Sequence, residues 1–284
     1  MRILILGGAG MLGHRLWLAL SQKHDVWATL RGSAADLPAH FAFPRHRACE
    51  RVDVLATDDL LRVLGQVRPE IVINCVGLIK QSPLAQDPLL AIALNASLPH
   101  RLARLCQASG ARLIHISTDC VFSGRRGRYT EADISDAEDL YGRTKFLGEV
   151  AEAHTLTVRT SIVGRELRTR FGLIEWFLHQ TGIVSGYRRA LYSGLTTHEL
   201  ARVIAQYILP QPDLHGLYHV AGPAISKYDL LRQVHRLFNT AVTLTPDDHV
   251  VCDRSLDAAR FQAAAGYVSP SWETMLSELA ADSQ

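Results

Sequence analysis

The stretch RILILGGAGMLGHRLWLAL, residues 2 to 20, joins a continuous apolar run to a helical pattern through a glycine-rich turn. An apolar run without alternation fits a strand buried on both faces, and the helix that follows at once makes the pair the opening of a strand–helix–strand unit with parallel strands. The theme recurs over the first 160 residues. HDVWATLR (24–31), ERVDV (50–54), EIVINCVG (70–77), ARLIHIST (111–118) and TLTVRTSIVG (155–164) read as further strands, with helices expected at 57–67, 89–109 and 139–153. The helix at 57–67 is expected to start from a cap at Thr57, with two aspartates in its first turn. Strands alternating with helices in this way predict an α/β chain with a doubly wound parallel sheet. Beyond residue 164 the rhythm gives way to short strands mixed with helices, and the last residues, AADSQ, are expected to fray.

Gly7, Gly10 and Gly13 stand in GxxGxxG spacing between the first strand and the first helix. Such a turn needs glycine for three reasons: tight reversal, close approach of backbone to a pyrophosphate, and close helix–sheet packing. With Met11 and Leu12 opening the helix, the turn predicts a Rossmann-type dinucleotide site in which helix-terminal amides face the phosphates. An acidic residue about 20 residues on would mark the ribose 2′-hydroxyl of NAD. The second strand instead ends Ala28-Thr29-Leu30-Arg31, and a guanidinium there, with Arg15 near it, suits a 2′-phosphate. The expected cofactor is therefore NADPH, with NAD left possible. Asp53 and Val54, after the third strand, are placed beside the adenine, and Asp53 could equally cap its own turn. Cys75, Val76 and Gly77 end the fourth strand and line the cofactor's path. These assignments divide the chain into a dinucleotide-binding domain, 1–164, and a mainly substrate-binding region, 165–284, whose elements can interleave with the first.

The formal charge of +2 over 284 residues argues against nucleic acid as a partner, and no apolar run reaches the ~20 residues that span a bilayer. Without a cleavage-site pattern near residue 13, a cytoplasmic location is expected. Five scattered cysteines without CxxC, and thirteen histidines without HExxH, predict reduced thiols and no metal.

LYGRTKFLGE (140–149) sets Tyr141 and Lys145 one helical turn apart on one face, after a fifth strand that ends Ser117-Thr118. Hydroxyl, phenol and ammonium in this order can converge at the carboxyl edge of the sheet. At these residues the chain resembles the extended short-chain dehydrogenase/reductases. GGAGMLG, ISTDCVFSG, the YTEAD run before YGRTK, and LGE after it are similar to the dTDP-4-dehydrorhamnose reductase branch of sugar-nucleotide enzymes.

The resemblance implies that Tyr141 gives a proton to the carbonyl oxygen as hydride arrives. Lys145 would bring the phenol down from its usual ~10 and hold the nicotinamide ribose. Thr118 would hydrogen-bond the substrate oxygen, and Asn95 matches a position tied to helix packing or a water relay. Asp119 is followed by Cys120, not by the Glu of related dehydratases, so simple keto reduction is preferred to elimination. The expected substrate is a nucleotide-linked 4-keto-6-deoxy sugar, for deoxysugar or surface-polysaccharide biosynthesis. An NAD-dependent epimerase and a non-catalytic nucleotide-binding module of the same branch are the alternatives. Expected substrate contacts are Lys80, Thr118, Asp119, Phe122 and Arg188, with Arg165, Arg168, Arg170, Arg189, Trp176 and Tyr187 as further candidates. Thr197 is expected to cap a helix beside substrate, and family members pair, so a homodimer is possible.

Overall fold

The computed structural model describes residues 1–39 and 41–282. Six strands, β1 (Arg2–Leu6), β2 (Asp25–Thr29), β3 (Ala48–Cys49), β4 (Ile71–Asn74), β5 (Arg112–Thr118) and β6 (Thr155–Thr160), join an edge strand, Gly216–His219, in one seven-stranded sheet. From the edge strand inward the order is β6, β5, β4, β1, β2, β3. The registers are parallel: Ile3 lies opposite both Val26 and Ile71, Ile71 opposite Arg112, and Ala28 opposite Ala48. The doubly wound parallel α/β sheet expected from the alternation is present. Its winding reverses between β1 and β4, and in open sheets ligands bind outside the carboxyl ends of the strands at that point.

The helices here are α1 (Met11–Leu20), α2 (Thr57–Val67), α3 (Pro88–Ala91), α4 (Leu98–Ser109) and α5 (Leu140–Leu147). On one face Leu4, Leu6, Val72 and Leu113 of the strands meet Leu60, Val63 and Val67 of α2 and Leu98, Leu102 and Cys106 of α4. Each buried aliphatic side chain contributes roughly 1.5–3 kcal/mol, so this layer holds the carboxyl edge of the sheet rigid.

Four expectations are corrected by the structure. The third strand is Ala48–Cys49 and not 50–54, because Arg51 takes φ +53° and turns the chain out of the pleat. Thr57 is the first helical residue and Ala56 the cap, so the Thr57 hydroxyl is left to accept from Arg101 at 2.6 Å. The helix expected over 89–109 is α3 and α4 joined by a π-helical turn, Ile92–Ser97. Pro99 has no N–H to offer the carbonyl of Asn95, which accounts for the widened turn. The helix expected to reach 153 ends at Leu147, since Gly148 lies so close to that same carbonyl that an added Cβ would fall 1.9 Å from it.

The chain divides into two compact units. The first comprises Met1–Ser117, Asp139–Val158 and Gln211–Leu217; the second comprises Thr118–Glu138, Arg159–Pro210 and the residues from Tyr218 on. The second unit is built on short pairings: Ile162–Val163 with Leu195–Thr196, Ile183–Tyr187 with Thr243–Asp247, and Ala190–Tyr192 with both Ile225–Ser226 and Cys252–Asp253. Its last helix runs Trp272–Ala281, so Ala280 and Ala281 do not fray; the final two residues of AADSQ lie outside the described residues. No helix among the described residues is long and apolar enough to cross a membrane.

Candidate active site

The glycine turn leaves β1 at Gly7, whose φ of +85° is open to glycine at little cost. Gly8 donates to the Thr29 carbonyl at 2.9 Å, and Gly10 donates back to Gly7 at 3.0 Å. The decisive approach is at Gly13, where a Cβ would sit 2.0 Å from the Gly7 oxygen. Gly8 is also constrained, with Ala28 2.6 Å from any added Cβ; the doubled GG was its only trace in the sequence. Gly10 caps α1 without a side chain, so the amides that open this ten-residue helix, around Met11 and Leu12, have no side-chain acceptor from the cap. Val76 lies 3.1 Å from where a Gly7 Cβ would be, which brings Cys75 and Val76, the residues that follow β4, beside the turn. A pyrophosphate fits such a cradle: the concavity is one a Cβ would fill, and the helix terminus favours an anion.

Arg31, just beyond β2, is exposed, with no hydrogen bond or ion pair among the described residues. Asp53 is spent on its own turn: its carboxylate accepts from Leu55 N at 2.9 Å, while its N–H donates to Asp59. Val54 packs against the core beside it.

Asp139 caps α5, taking the Gly142 amide at 2.8 Å. Lys80, expected at a substrate diphosphate, is instead ion-paired with the same Asp139 at 2.6 Å, because the cap uses one carboxylate oxygen and the other faces the lysine. Tyr141 is half-buried in the first turn. Lys145, 5 % exposed, reaches across to β5 and donates to the Ile116 carbonyl at 2.7 Å. Burial lowers its ammonium to about 8, against the opposing pull of the Glu149 carboxylate. Burial also pushes the Cys75 thiol up to about 12, so Cys75 stays protonated at neutral pH. Asn95, in the π turn, accepts from Leu78 N at 2.8 Å and reaches Thr144 at 3.4 Å, tying the exit of β4 to α5. Gly77 lies between: an added Cβ would meet Asn95 Oδ1 at 3.1 Å and Lys145 Nζ at 3.8 Å. Ser117 donates to Glu149 at 2.7 Å, a carboxylate to which the sequence reading gave no role although LGE marked its place.

In the second unit, Thr118 is buried; its hydroxyl donates to Asp119 Oδ1 at 3.2 Å and accepts from Cys120 N at 3.1 Å. Burial raises the Asp119 carboxyl above the ordinary range, against the lowering effect of Arg254. Phe122 offers no surface to substrate: it is fully buried, stacked on Tyr129 at 4.1 Å, with the Arg159 guanidinium 5.2 Å above it. Arg159 in turn donates to Nε2 of buried His219 at 3.3 Å, whose Nδ1–H faces the Tyr129 carbonyl at 3.1 Å. Arg188 is ion-paired with Asp248, and Arg165 with Glu175, since each lies in reach of a carboxylate of its own unit. The helix cap is Thr196, not Thr197, with its hydroxyl accepting from Glu199 N at 3.2 Å.

A glycine turn at the switch point of a parallel sheet, with a tyrosine–lysine helix at its carboxyl edge, defines a Rossmann-type α/β protein. Residues 1–284 match the family described as RmlD substrate binding domain, and the chain belongs to that family. It is 31% identical over 259 residues to a probable dTDP-4,6-dihydroxy-2-methyloxan-3-one 4-ketoreductase of Streptomyces antibioticus, covering 84% of this chain and 78% of the relative. It is 25% identical over 256 residues to methionine adenosyltransferase 2 subunit beta of Mus musculus, covering 84% and 72%. Among solved structures, dTDP-4-dehydrorhamnose reductase of Bacillus anthracis in complex with NADP aligns over 99% of both chains, with a TM-score of 0.81 and 22% identity.

Proposed function

We propose that the protein is an NADPH-dependent oxidoreductase that reduces the 4-keto group of a nucleotide-linked 4-keto-6-deoxy sugar. The observation that carries this reading is Lys145, buried at the carboxyl edge of β5 and one turn below Tyr141. When bound, the reduced nicotinamide supplies the hydride. Gly7, Gly10 and Gly13, with the amides of Met11 and Leu12, would hold the pyrophosphate, and Arg31 a 2′-phosphate. The relative named as a probable 4-ketoreductase and the structural neighbour that carries NADP support the same class of substrate and cofactor.

Tyr141 gives its phenolic proton to the carbonyl oxygen of the substrate, and the Lys145 cation stabilises the phenolate left behind. Thr118 would turn its one hydroxyl proton from Asp119 Oδ1 to the substrate oxygen and so orient it, while its oxygen still accepts from the Cys120 amide. A second reading, a nucleotide-binding subunit without turnover, draws on the likeness to methionine adenosyltransferase 2 subunit beta. The two separate cleanly: NADPH and NADH binding to wild type and Arg31→Ala, followed by NADPH oxidation with a panel of dTDP-, UDP- and GDP-linked 4-keto sugars. Preference for NADPH that Arg31→Ala removes, with turnover on one member, supports the reductase. Binding without turnover on any member favours the subunit, and binding of neither dinucleotide removes both.

A further inference from the structure

The chain bends sharply after the helix that carries Tyr141 and Lys145, and the bend has a consequence for the lysine. Gly148 presses against the Asn95 carbonyl and stops α5, so the next residue, Glu149, turns back toward β5. There its carboxylate accepts from Ser117 Oγ at 2.7 Å, one residue along the strand from the Ile116 carbonyl that accepts from Lys145 Nζ at 2.7 Å. Two successive residues of one strand thus anchor, on one side a cation and on the other a carboxylate, four positions apart in sequence.

We propose that Glu149 is a positioning residue whose carboxylate, held by Ser117, keeps the buried Lys145 side chain charged and directed along β5 beneath Tyr141. Burial of an ammonium group works against its charge, and a fixed carboxylate nearby restores it. The other groups that face Lys145 cannot do this. Cys75, just after β4, is held as a neutral thiol by burial. His115 of β5 is fully buried, bonded to Asn74 at 3.1 Å and held neutral by burial, by Lys145 and by His100. Asn95 of the π turn and Thr144 of α5 carry no charge, and Tyr141 gains negative charge only during the reaction. Glu149 is the carboxylate in this set, and its influence on Lys145 is toward the charged form.

The kinetic consequence rests on the reductase reading, whereas the effect on Lys145 itself does not. The chain has four lysines, Lys23, Lys80, Lys145 and Lys227, so 13Cε-lysine NMR resolves each titration in the full-length protein, with Lys145→Arg assigning the signal. In wild type the Lys145 signal is expected to titrate at about 8. In Glu149→Gln the midpoint moves down by about one unit, in Ser117→Ala by less, and Glu149→Asp retains most of the wild-type value. In the same order the alkaline limb of kcat/KM for NADPH-dependent reduction moves to lower pH, and kcat/KM at pH 8 falls several-fold in Glu149→Gln. A Lys145 midpoint unchanged in Glu149→Gln overturns the proposal, as does a loss of activity equal at every pH. Should Glu149→Gln not fold, Ser117→Ala and Glu149→Asp carry the test. A shifted Lys145 midpoint in a protein that reduces no sugar nucleotide leaves the role of Glu149 standing and removes the reductase.

Discussion

The two units spend their polar side chains differently. In the first, apart from Lys80 on Asp139 and Ser117 on Glu149, the groups around α5 are held by main chain: Lys145 by the Ile116 carbonyl, Asn95 by Leu78, Asp139 by the Gly142 amide. In the second, candidate ligands are consumed by side chains: Arg188 by Asp248, Arg165 by Glu175, Phe122 by Tyr129. Main-chain partners come with the fold and leave the reactive end of a residue directed by backbone geometry. Side-chain partners depend on which carboxylate or ring lies nearby, which residue type alone cannot foretell.

The contrast is most exposed at the glycines. Gly13→Ala would drive a Cβ into the Gly7 carbonyl, so dinucleotide affinity measured by fluorescence titration should fall by at least about 100-fold, with a loss of thermal stability. Gly65→Ala, within α2 and with nothing inside 4 Å of the added methyl, should instead stabilise the protein by roughly 0.5–1 kcal/mol in urea unfolding. Equal effects of the two would erase the claim that backbone contact governs the first unit.

An effect at least as large is expected on turnover in Tyr141→Phe. Turnover should drop by roughly 10²–10⁴ while NADPH binding is unchanged, because the phenol acts in proton transfer and not in holding the pyrophosphate.

For the second unit the sharper probe is acid. Burial and the neighbouring Arg159 lower His219 to about 4, whereas an unfolded histidine titrates near 6.5. Below 6.5 the unfolded chain binds the proton first, so the stability present above pH 6.5 declines as pH falls toward 4, by an amount on the order of 3 kcal/mol. Guanidinium midpoints at pH 7 and 4.5 measure this. His219→Gln should be less stable at pH 7 and less sensitive to acid, and buried His115 contributes in the same direction from the first unit.

The smallest effect is expected at Arg188→Ala. Its partner Asp248 is about half exposed, as Arg188 is, so neither the melting temperature nor KM for a sugar nucleotide should move measurably. A clear rise in KM would mean that the ion pair opens to receive a phosphate and that the two units are less unlike than their resting contacts suggest.

The sheet and the two helices that matter were readable because each left a periodic signal: apolar runs at β1, β4 and β5, glycines at fixed spacing, and Tyr141 with Lys145 on one helical face. What escaped was set by contacts distant in sequence. The end of α5 depends on the Asn95 carbonyl 53 positions earlier, and that carbonyl depends on Pro99. Glu149 acquires a role only once Ser117, 32 residues away, is beside it. Phe122 looked free because its ring partner, Tyr129, and its cation, Arg159, belong to other segments.

The route of the chain has a further implication, for synthesis. Its third visit to the first unit, Gln211–Leu217, leads into the edge strand that completes the seven-stranded sheet. At about 5–20 residues per second, a ribosome needs roughly 10–40 s to deliver that strand. Until then β6 has an unpaired flank, and a growing polypeptide with an open strand is a template for the wrong neighbour. Chaperone dependence, or aggregation of chains stalled before residue 216, would therefore trace to the order in which the strands leave the ribosome rather than to any weakness of the finished fold.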